Sequence, residues 1–221
     1  VDIGEIYYKV MEKLTINKVD LIIANSESAK KRITKISKIN QDKVKVILTG
    51  IDIEYWRRDN FEKLFNGDNF IIGSVGRLTP HKNYETLLKT TKILKDKIKN
   101  LKLIIAGDGE LRNKLIKLTE KLEIKDYVEF LGFREDVGNI LKSIDIFILP
   151  SISEGLPTAL LEAMSMELPC IVSDIEPHKE IIEENVSGLF FKRKNYIDLA
   201  NKVLSIYSDK FKREKLGLNA R

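Results

Sequence analysis

The sequence predicts an α/β fold: a Rossmann-like parallel sheet with helices on both faces. Three observations carry that prediction. From Phe70 onward, short β-branched apolar runs alternate with segments of helical period, the pattern of parallel strands joined by right-handed crossovers. The runs themselves, such as Ile146 to Leu149, are apolar at consecutive rather than alternate positions, as strands covered on both faces should be. Gly76, Gly107, Gly132 and Pro150 each stand directly after one of these runs, where a strand must give way to a loop.

Taken in order, residues Ile3–Lys13 have helical spacing, with Ile6, Tyr7, Val10 and Leu14 on one side. Asp20–Ala24 reads as a short buried strand, and Ser26 as the N-cap of a helix running to about Ile36. Val44–Leu48 is a second short strand; with no neighbouring strands in this sequence, both are expected to present unpaired edges and so promote association. Residues 60–69, polar apart from Phe61, Leu64 and Phe65, read as a loop or short helix of low order. Strands are then predicted at Phe70–Val75, Leu101–Ala106, Val128–Leu131, Ile146–Leu149, Cys170–Ser173 and Gly188–Phe191. Helices are predicted at Tyr84–Lys97, Glu110–Lys121, Val137–Ser143, Thr158–Met166, His178–Glu184 and Ile197–Tyr207.

Composition bounds what such a sheet could serve. The chain has 221 residues, 43% of them hydrophobic, enough to bury a sizeable core. No apolar run approaches the roughly 20 residues that span a bilayer. The first residues, VDIGEIYYKV, lack the design of a signal peptide, and the absence of an initiating Met is expected of a fragment or processed chain. The net charge of +5 comes with Lys and Glu interleaved along predicted helices, a solvated surface with a residual excess suited to anionic faces. No nucleic-acid-binding motif accompanies it, so no nucleic-acid partner is expected. The lone Cys170 fits a reducing compartment and a buried strand position, and two histidines with one cysteine speak against a structural zinc site. The expected location is the cytoplasm, with peripheral contact to the cytoplasmic face of a membrane allowed by the charge.

Ligands of parallel sheets bind beyond the carboxyl ends of the strands, so the informative loops are those that follow them. After Val75 comes Gly76-Arg77-Leu78-Thr79-Pro80-His81-Lys82-Asn83: a glycine that permits close backbone approach and two cations, Arg77 and Lys82, suited to a diphosphate. His81 reads as a turn residue. Gly107-Asp108-Gly109 reads as a tight turn in which Asp108 either caps the next helix or touches a ligand. After Leu131, Phe133 either packs on a base or closes the core edge, and Arg134 is placed to reach a phosphate. After Leu149 comes PSISEGLPTALLEAMSMELP. It carries Glu154 in the loop and Glu162 in the helix, with backbone N–H groups expected at Gly155 and Leu156, at the positive end of the helix dipole. One cleft wall would thus present an acceptor, a phosphate-facing helix start and a second acceptor, which matches a sugar nucleotide. His178, at the start of a later helix, reads as a surface residue.

The P-S-x-S-E-G-x-P-x-x-x-x-E-A-M run at a strand-to-helix turn resembles the E-x7-E signature of GT-B glycosyltransferases, and of retaining family 4 in particular. Gly76-Arg77-Leu78 with Lys82 resembles their G-R-L-x-x-x-K diphosphate loop, Gly107-Asp108-Gly109 their G-D-G turn, and Thr49-Gly50-Ile51-Asp52 the N-G-V-D ahead of their interdomain linker. Two positions depart from the family: Thr49 replaces the usual Asn, and Glu167 the usual glycine after the helix. The resemblance implies a remnant of the N-terminal acceptor domain at 1–49, a linker at 50–69 and a C-terminal nucleotide-sugar-binding domain at 70–221. It implies that Glu154 holds donor-sugar hydroxyls, Glu162 the ribose, and Arg77 and Lys82 the diphosphate, with Gly76, Phe133, Arg134, Gly155 and Leu156 around them. The implied activity is hexosyl transfer from a UDP- or GDP-sugar to a sugar or lipid-linked acceptor with retention, in polysaccharide or glycolipid biosynthesis. The implied transferase needs no cofactor and no metal, and no Asp-x-Asp run stands in the sequence to hold one. The isolated chain is expected to be inactive without the missing N-terminal half or a partner chain supplying it. Two other classes stay open: a GT-B sugar-nucleotide epimerase, and a non-catalytic donor-binding subunit completed by a second chain.

Overall fold

A computed structural model describes residues 15–65 and 67–221; the helix expected over Ile3–Lys13 lies outside the described residues. The chain divides into two compact units, residues 1–50 and 51–221.

In the first unit, β1 (Ile22–Ala24) and β2 (Val44–Val46) pair in parallel, Ile22 opposite Val44 and Ala24 opposite Val46. The strands expected to lack neighbours therefore satisfy one edge each through the other. The helix between them, α1 (Glu27–Ser37), begins where the sequence puts its cap: the Ser26 hydroxyl accepts from Ala29 N at 3.1 Å. Ile16, Ala24, Ile39 and Val44 make a small core, while Ile23 is 61% exposed and Leu48 65% exposed.

The second unit holds a six-stranded, wholly parallel sheet in the order β5-β4-β3-β6-β7-β8. Its strands are β3 (Phe70–Val75), β4 (Leu101–Ala106), β5 (Val128–Gly132), β6 (Ile146–Leu149), β7 (Cys170–Ser173) and β8 (Leu189–Phe191). Successive side chains of each strand enter opposite cores. Ile72, Leu103, Ile105, Ile146, Ile148 and Ile171 lie on one face, and Ile71, Ile104, Phe147, Leu149, Cys170 and Val172 on the other. Burial on both faces is why these strands read as largely apolar runs. Helices α2 (Tyr84–Leu94), α3 (Arg112–Lys121) and α7 (Tyr196–Tyr207) cover the first face. Helices α4 (Val137–Lys142) and α5 (Thr158–Ser165) cover the second.

Cys170 behaves as the expected small hydrophobe: it is fully buried, its thiol donates to Leu168 O at 3.2 Å, and burial pushes its pKa up. The described residues of 50–69 carry little regular structure beyond a 3-10 turn at Arg58–Asn60, but several of them are anchored. Trp56, Phe61 and Phe65 pack on the second core, Glu62 N donates to Asn139 Oδ1 at 3.0 Å, and Leu64 N to Ser143 Oγ at 2.7 Å.

Several helices differ from expectation, and α2 ends at Leu94 rather than Lys97. Helix α3 starts at Arg112 rather than Glu110 because the preceding turn is spent on Leu78, whose carbonyl accepts from Leu111 N at 3.0 Å. The helix expected over His178–Glu184 is instead α6 (Glu176–Lys179), begun early by Pro177 in its first turn and stopped before Glu184, which bridges to Gly188. A last helix, α8 (Lys210–Ala220), has no strong apolar period to announce it and buries only Leu216 and Gly217. Its start is capped by Asp209, which accepts from Lys212 N at 2.9 Å.

Candidate donor site

The sheet order places a topological switch point between β3 and β6. From β3 the chain builds outward through β4 and β5; it then returns to the other side of β3 and continues through β6, β7 and β8. At such a point the two carboxyl-end loops diverge and leave a crevice. The loops after β3 and β6 are the two that carry the predicted cations and the first predicted carboxylate.

The loop after β3 is held from three sides. Gly76 N donates to Ala106 O at 2.9 Å and Leu78 N to Asp108 O at 2.9 Å, so the loop lies along the Gly107-Asp108-Gly109 turn. That turn is tied onward, Gly107 N to Gly132 O at 2.7 Å. A Cβ added at Gly107 would sit 2.0 Å from Gly76 O, closer than any real contact, and Gly107 also has φ +137°. The glycine turn thus supports the cation loop. Asp108 does not cap α3, whose first flanking residue is Leu111 without a side-chain cap; its carboxylate accepts from Gly109 N at 2.7 Å. From the other side, the buried Tyr84 hydroxyl donates to Gly76 O at 3.1 Å, and burial pushes its phenol well above the ordinary range.

The loops after β3 and β6 are joined directly. Ile152 N donates to His81 O at 2.7 Å, and Asn83 Nδ2 to Pro150 O at 3.1 Å. His81 is a turn residue, as read from the sequence, within a 3-10 turn at Pro80–Lys82. Across this junction Lys82 Nζ meets Glu154 Oε1 at 2.7 Å, with the two side chains only 14% and 9% exposed. Ser151 Oγ donates to the same carboxylate oxygen at 2.5 Å. A cation and a carboxylate predicted from separate motifs, 72 residues apart, therefore form one nearly buried pair. Lys82 Nζ lies 3.5 Å from where a Gly76 side chain would begin, an ordinary contact distance, so what calls for glycine at the end of β3 is its φ of +155°.

The other predicted residues take distinct places. Arg77 is exposed at the rim of the same loop. Glu162 is half-buried on α5, and burial raises its pKa above the ordinary glutamate value. Gly155 and Leu156, expected at the helix start, form a bend ahead of it; Pro157 is the flanking residue and the first turn of α5 opens at Thr158. After β5, Phe133 is 76% exposed and does not close the core edge. Arg134, expected to reach a phosphate, is held by Asp136 in a two-pronged pair, Nε to Oδ1 at 2.7 Å and Nη2 to Oδ2 at 2.6 Å, which keeps the Asp136 carboxyl below its ordinary range. Phe133 and Arg134 follow a strand separated from β3 by β4, so they stand apart from the Lys82–Glu154 pair.

Sequence reasoning missed four contributors: Tyr84, Ser151, Ser173 and His178. His178, read as a surface residue, is fully buried. Its Nδ1 lies 2.8 Å from Ser173 O and 3.3 Å from Ser173 Oγ, while its Nε2 is buried without a partner. Burial pushes this imidazole below its ordinary pKa, against opposing pulls from the Ser173 carbonyl and Glu154. A histidine beside a proline in a polar stretch carries no apolar period that would signal burial. Ser151 was detectable from its position, directly after the strand and three residues before Glu154. Among the described residues no group of three or more metal-ligating side chains gathers, and no helix is long and apolar enough to cross a membrane.

The chain is similar to known proteins in sequence and in fold. The chain is 31% identical over 216 residues to a UDP-Gal:alpha-D-GlcNAc-diphosphoundecaprenol alpha-1,3-galactosyltransferase of Escherichia coli, covering 93% of this chain and 56% of that protein. It is 28% identical to a Campylobacter jejuni N-acetylgalactosamine-N,N'-diacetylbacillosaminyl-diphospho-undecaprenol 4-alpha-N-acetylgalactosaminyltransferase, over 85% of this chain and 50% of that one. The chain thus spans about half the length of these curated relatives. In fold it matches the crystal structure of Anabaena Alr3699/HepE in complex with UDP-glucose, with a TM-score of 0.86 at 22% identity, over 98% of this chain and 63% of that one. The model of the glycosyl transferases group 1 family matches residues 57–221, which include the Lys82–Glu154 pair and every strand of the large sheet. The chain belongs to that family of GT-B type glycosyltransferases.

Proposed function

We propose that this chain carries the donor site of a retaining hexosyltransferase that takes a sugar from a nucleotide donor and adds it to a lipid-linked acceptor. The observation that carries the reading is the Lys82–Glu154 pair at the switch point, a cation and an acceptor held together where a sheet of this kind binds ligands. The Lys82 ammonium has three donors, and only one is engaged by Glu154, so phosphate oxygens can take the others. Both partners of Glu154 sit on Oε1, which leaves Oε2 to accept from a hydroxyl of the donor sugar.

In such a transfer, negative charge grows on the nucleoside diphosphate as the glycosidic bond breaks. Lys82, joined by Arg77 at the rim, is placed to stabilise that charge in a setting already stripped of much of its water. Glu162 is assigned the ribose, the exposed Phe133 a face for the base, and Gly76, Gly155 and Leu156 the backbone around the phosphates. Arg134 is given up as a phosphate ligand because Asp136 holds it. Retention is part of the proposal: Glu154, already bound to an ammonium and a hydroxyl, is an anchor rather than a free nucleophile. The polyprenyl-diphosphate acceptors named for the two relatives support a lipid-linked acceptor here, with contact at the membrane face, and no cofactor beyond the UDP- or GDP-sugar substrate is required. Residues 1–49 are assigned to an acceptor domain whose remainder, in further sequence or a partner chain, supplies the opposite wall. Alignment and water exclusion by that wall can supply roughly 7–11 kcal/mol of the barrier. The 221 residues alone should therefore bind donor without transferring it.

The test compares a nucleoside with its diphosphate. Arg77→Ala should weaken UDP or GDP by about 1.5–3 kcal/mol, the cost of one charge-assisted contact, and leave uridine or guanosine unaffected. Lys82→Ala should do the same and also lower stability, because it strands Glu154 in a nearly closed site. Equal losses for nucleoside and diphosphate in calorimetric titrations would remove both residues from the phosphate site.

A further inference from the structure

The hydrogen bonds behind Glu154 do not stop at Ser151. The Ser173 hydroxyl, at the carboxyl end of β7, donates in a short bond to Ser151 O, and Ser173 in turn receives the His178 ring. The direction of each link follows from the chemistry. A carbonyl oxygen can only accept, so His178 Nδ1 carries the proton and donates to Ser173 O at 2.8 Å, with Ser173 Oγ beside it at 3.3 Å. Ser173 Oγ spends its single proton on Ser151 O, and Ser151 Oγ spends its own on Glu154 Oε1. The links run from residue to residue through the backbone carbonyls of Ser173 and Ser151, from the His178 ring to the Glu154 carboxylate, which Lys82 meets from the other side.

These five groups lie at four separate places: the turn after β3, the loop after β6, the last residue of β7, and α6. Nothing in backbone pairing alone sets the Glu154 carboxylate, because Ser151 to Pro157 is a loop without ladder bonds. A loop carboxylate left to itself samples several rotamers, and an anchor must be held in one. The groups that hold it are buried: Ser151, Ser173 and His178 are each 0% exposed. Burying the polar imidazole costs desolvation that an apolar residue of similar size would not incur, and its Nδ1 donor is what such a residue could not supply.

We propose that His178 is a positioning residue of the donor site, acting through Ser173 and Ser151 to hold the Glu154 carboxylate toward the donor sugar. The inference rests on the assignment of Glu154 to the sugar. A role limited to packing would require only the ring's volume; the positioning role requires the Nδ1 donor.

The experiment separates these by which end of the side chain is kept. In His178→Asn the amide nitrogen falls where Nδ1 was; in His178→Gln it falls nearer Nε2. Ser173→Ala cuts the next link without changing core volume much, and serves if His178→Gln fails to fold. Affinities of the 221-residue chain are measured for UDP against UDP-glucose and GDP against GDP-mannose, carrying forward the pair that the unmutated chain binds. The added affinity due to the sugar should fall roughly tenfold in Ser173→Ala and His178→Gln, and be largely kept in His178→Asn, while the nucleoside diphosphate affinity stays the same in all three. If folded Ser173→Ala and His178→Gln keep the full sugar increment, the relay is overturned while the donor site stands. If the unmutated chain gains nothing from the sugar, or binds neither pair, the assignment of Glu154 fails first and the positioning role falls with it.

Discussion

At the scale of single residues, two groups carry consequences that were only half visible in the sequence. Glu162 was identifiable from its spacing to Glu154, but its burial was not. Because burial raises its folded-state pKa, the folded chain keeps that proton to higher pH than the unfolded chain does. The stability associated with it is therefore present below the unfolded value and lost as pH rises through the folded value. Glu162→Gln, which cannot ionise, should be more stable than the parent at pH 8, and the gap should shrink as pH falls to 5; melting curves at the two pH values check the sign. Glu167 is the second case. It adopts φ +58° in a Schellman turn closing α5, with Leu168 N donating to Ala163 O at 3.1 Å and Glu167 N to Met164 O at 2.9 Å. The departure from glycine at this position thus leaves the left-handed turn in place and leaves its strain in place too. The turn is held from outside: a Cβ at Gly217 of α8 would lie 2.2 Å from Glu167 O. Glu167→Gly should relieve strain of about 1 kcal/mol and raise Tm by about 2–4 °C, read by thermal denaturation. No gain would mean that the Glu167 side chain offsets the strain through its own contacts.

Elements were legible where one physical signal dominated. Strands Phe70–Val75, Leu101–Ala106, Ile146–Leu149 and Cys170–Ser173 have the bounds read from the sequence, because burial on both faces leaves few polar positions to blur them. Helix α8 was missed because Leu216 and Gly217 alone are buried along it, too few to set a period. The start of α3 was misplaced because a tertiary contact, Leu111 to Leu78, overrides the local preference of Glu110 for the helix. The candidate site follows the same rule. Charged residues in motifs could be found by spacing, and Ser151 by its place between the strand and Glu154, but Ser173 and His178 could not, since their importance lies in contacts across β6, β7 and α6. The glycine turn after β4 gives a test at this scale. Gly107→Ala places a methyl group against Gly76 O, so the loop bearing Arg77 and Lys82 must shift. The expected outcome is lower stability together with a loss of UDP or GDP affinity comparable to that of Arg77→Ala. A variant that melts lower but binds normally would show that the glycine serves packing alone.

For the whole molecule, the account turns on one arrangement: a parallel sheet whose order reverses between β3 and β6, with a buried cation–carboxylate pair across the crevice so formed. The sheet, the crevice and the pair belong to the unit spanning 51–221, and the assignment of residues to parts of a donor follows their order around it. On the proposed reading, Arg77 and Lys82 face the diphosphate, Glu154 the sugar and Glu162 the ribose. The measurement that tests this most directly is a crossed set of calorimetric affinities: nucleoside monophosphate, nucleoside diphosphate and sugar nucleotide, each against the unmutated chain, Glu154→Gln and Glu162→Gln. Glu162→Gln should weaken all three ligands by a similar factor, through the ribose they share. Glu154→Gln should weaken only the sugar nucleotide. A Glu154→Gln chain that loses as much affinity for the free nucleotide as for the sugar nucleotide would contradict the assignment, and with it the reading of this crevice as a donor site.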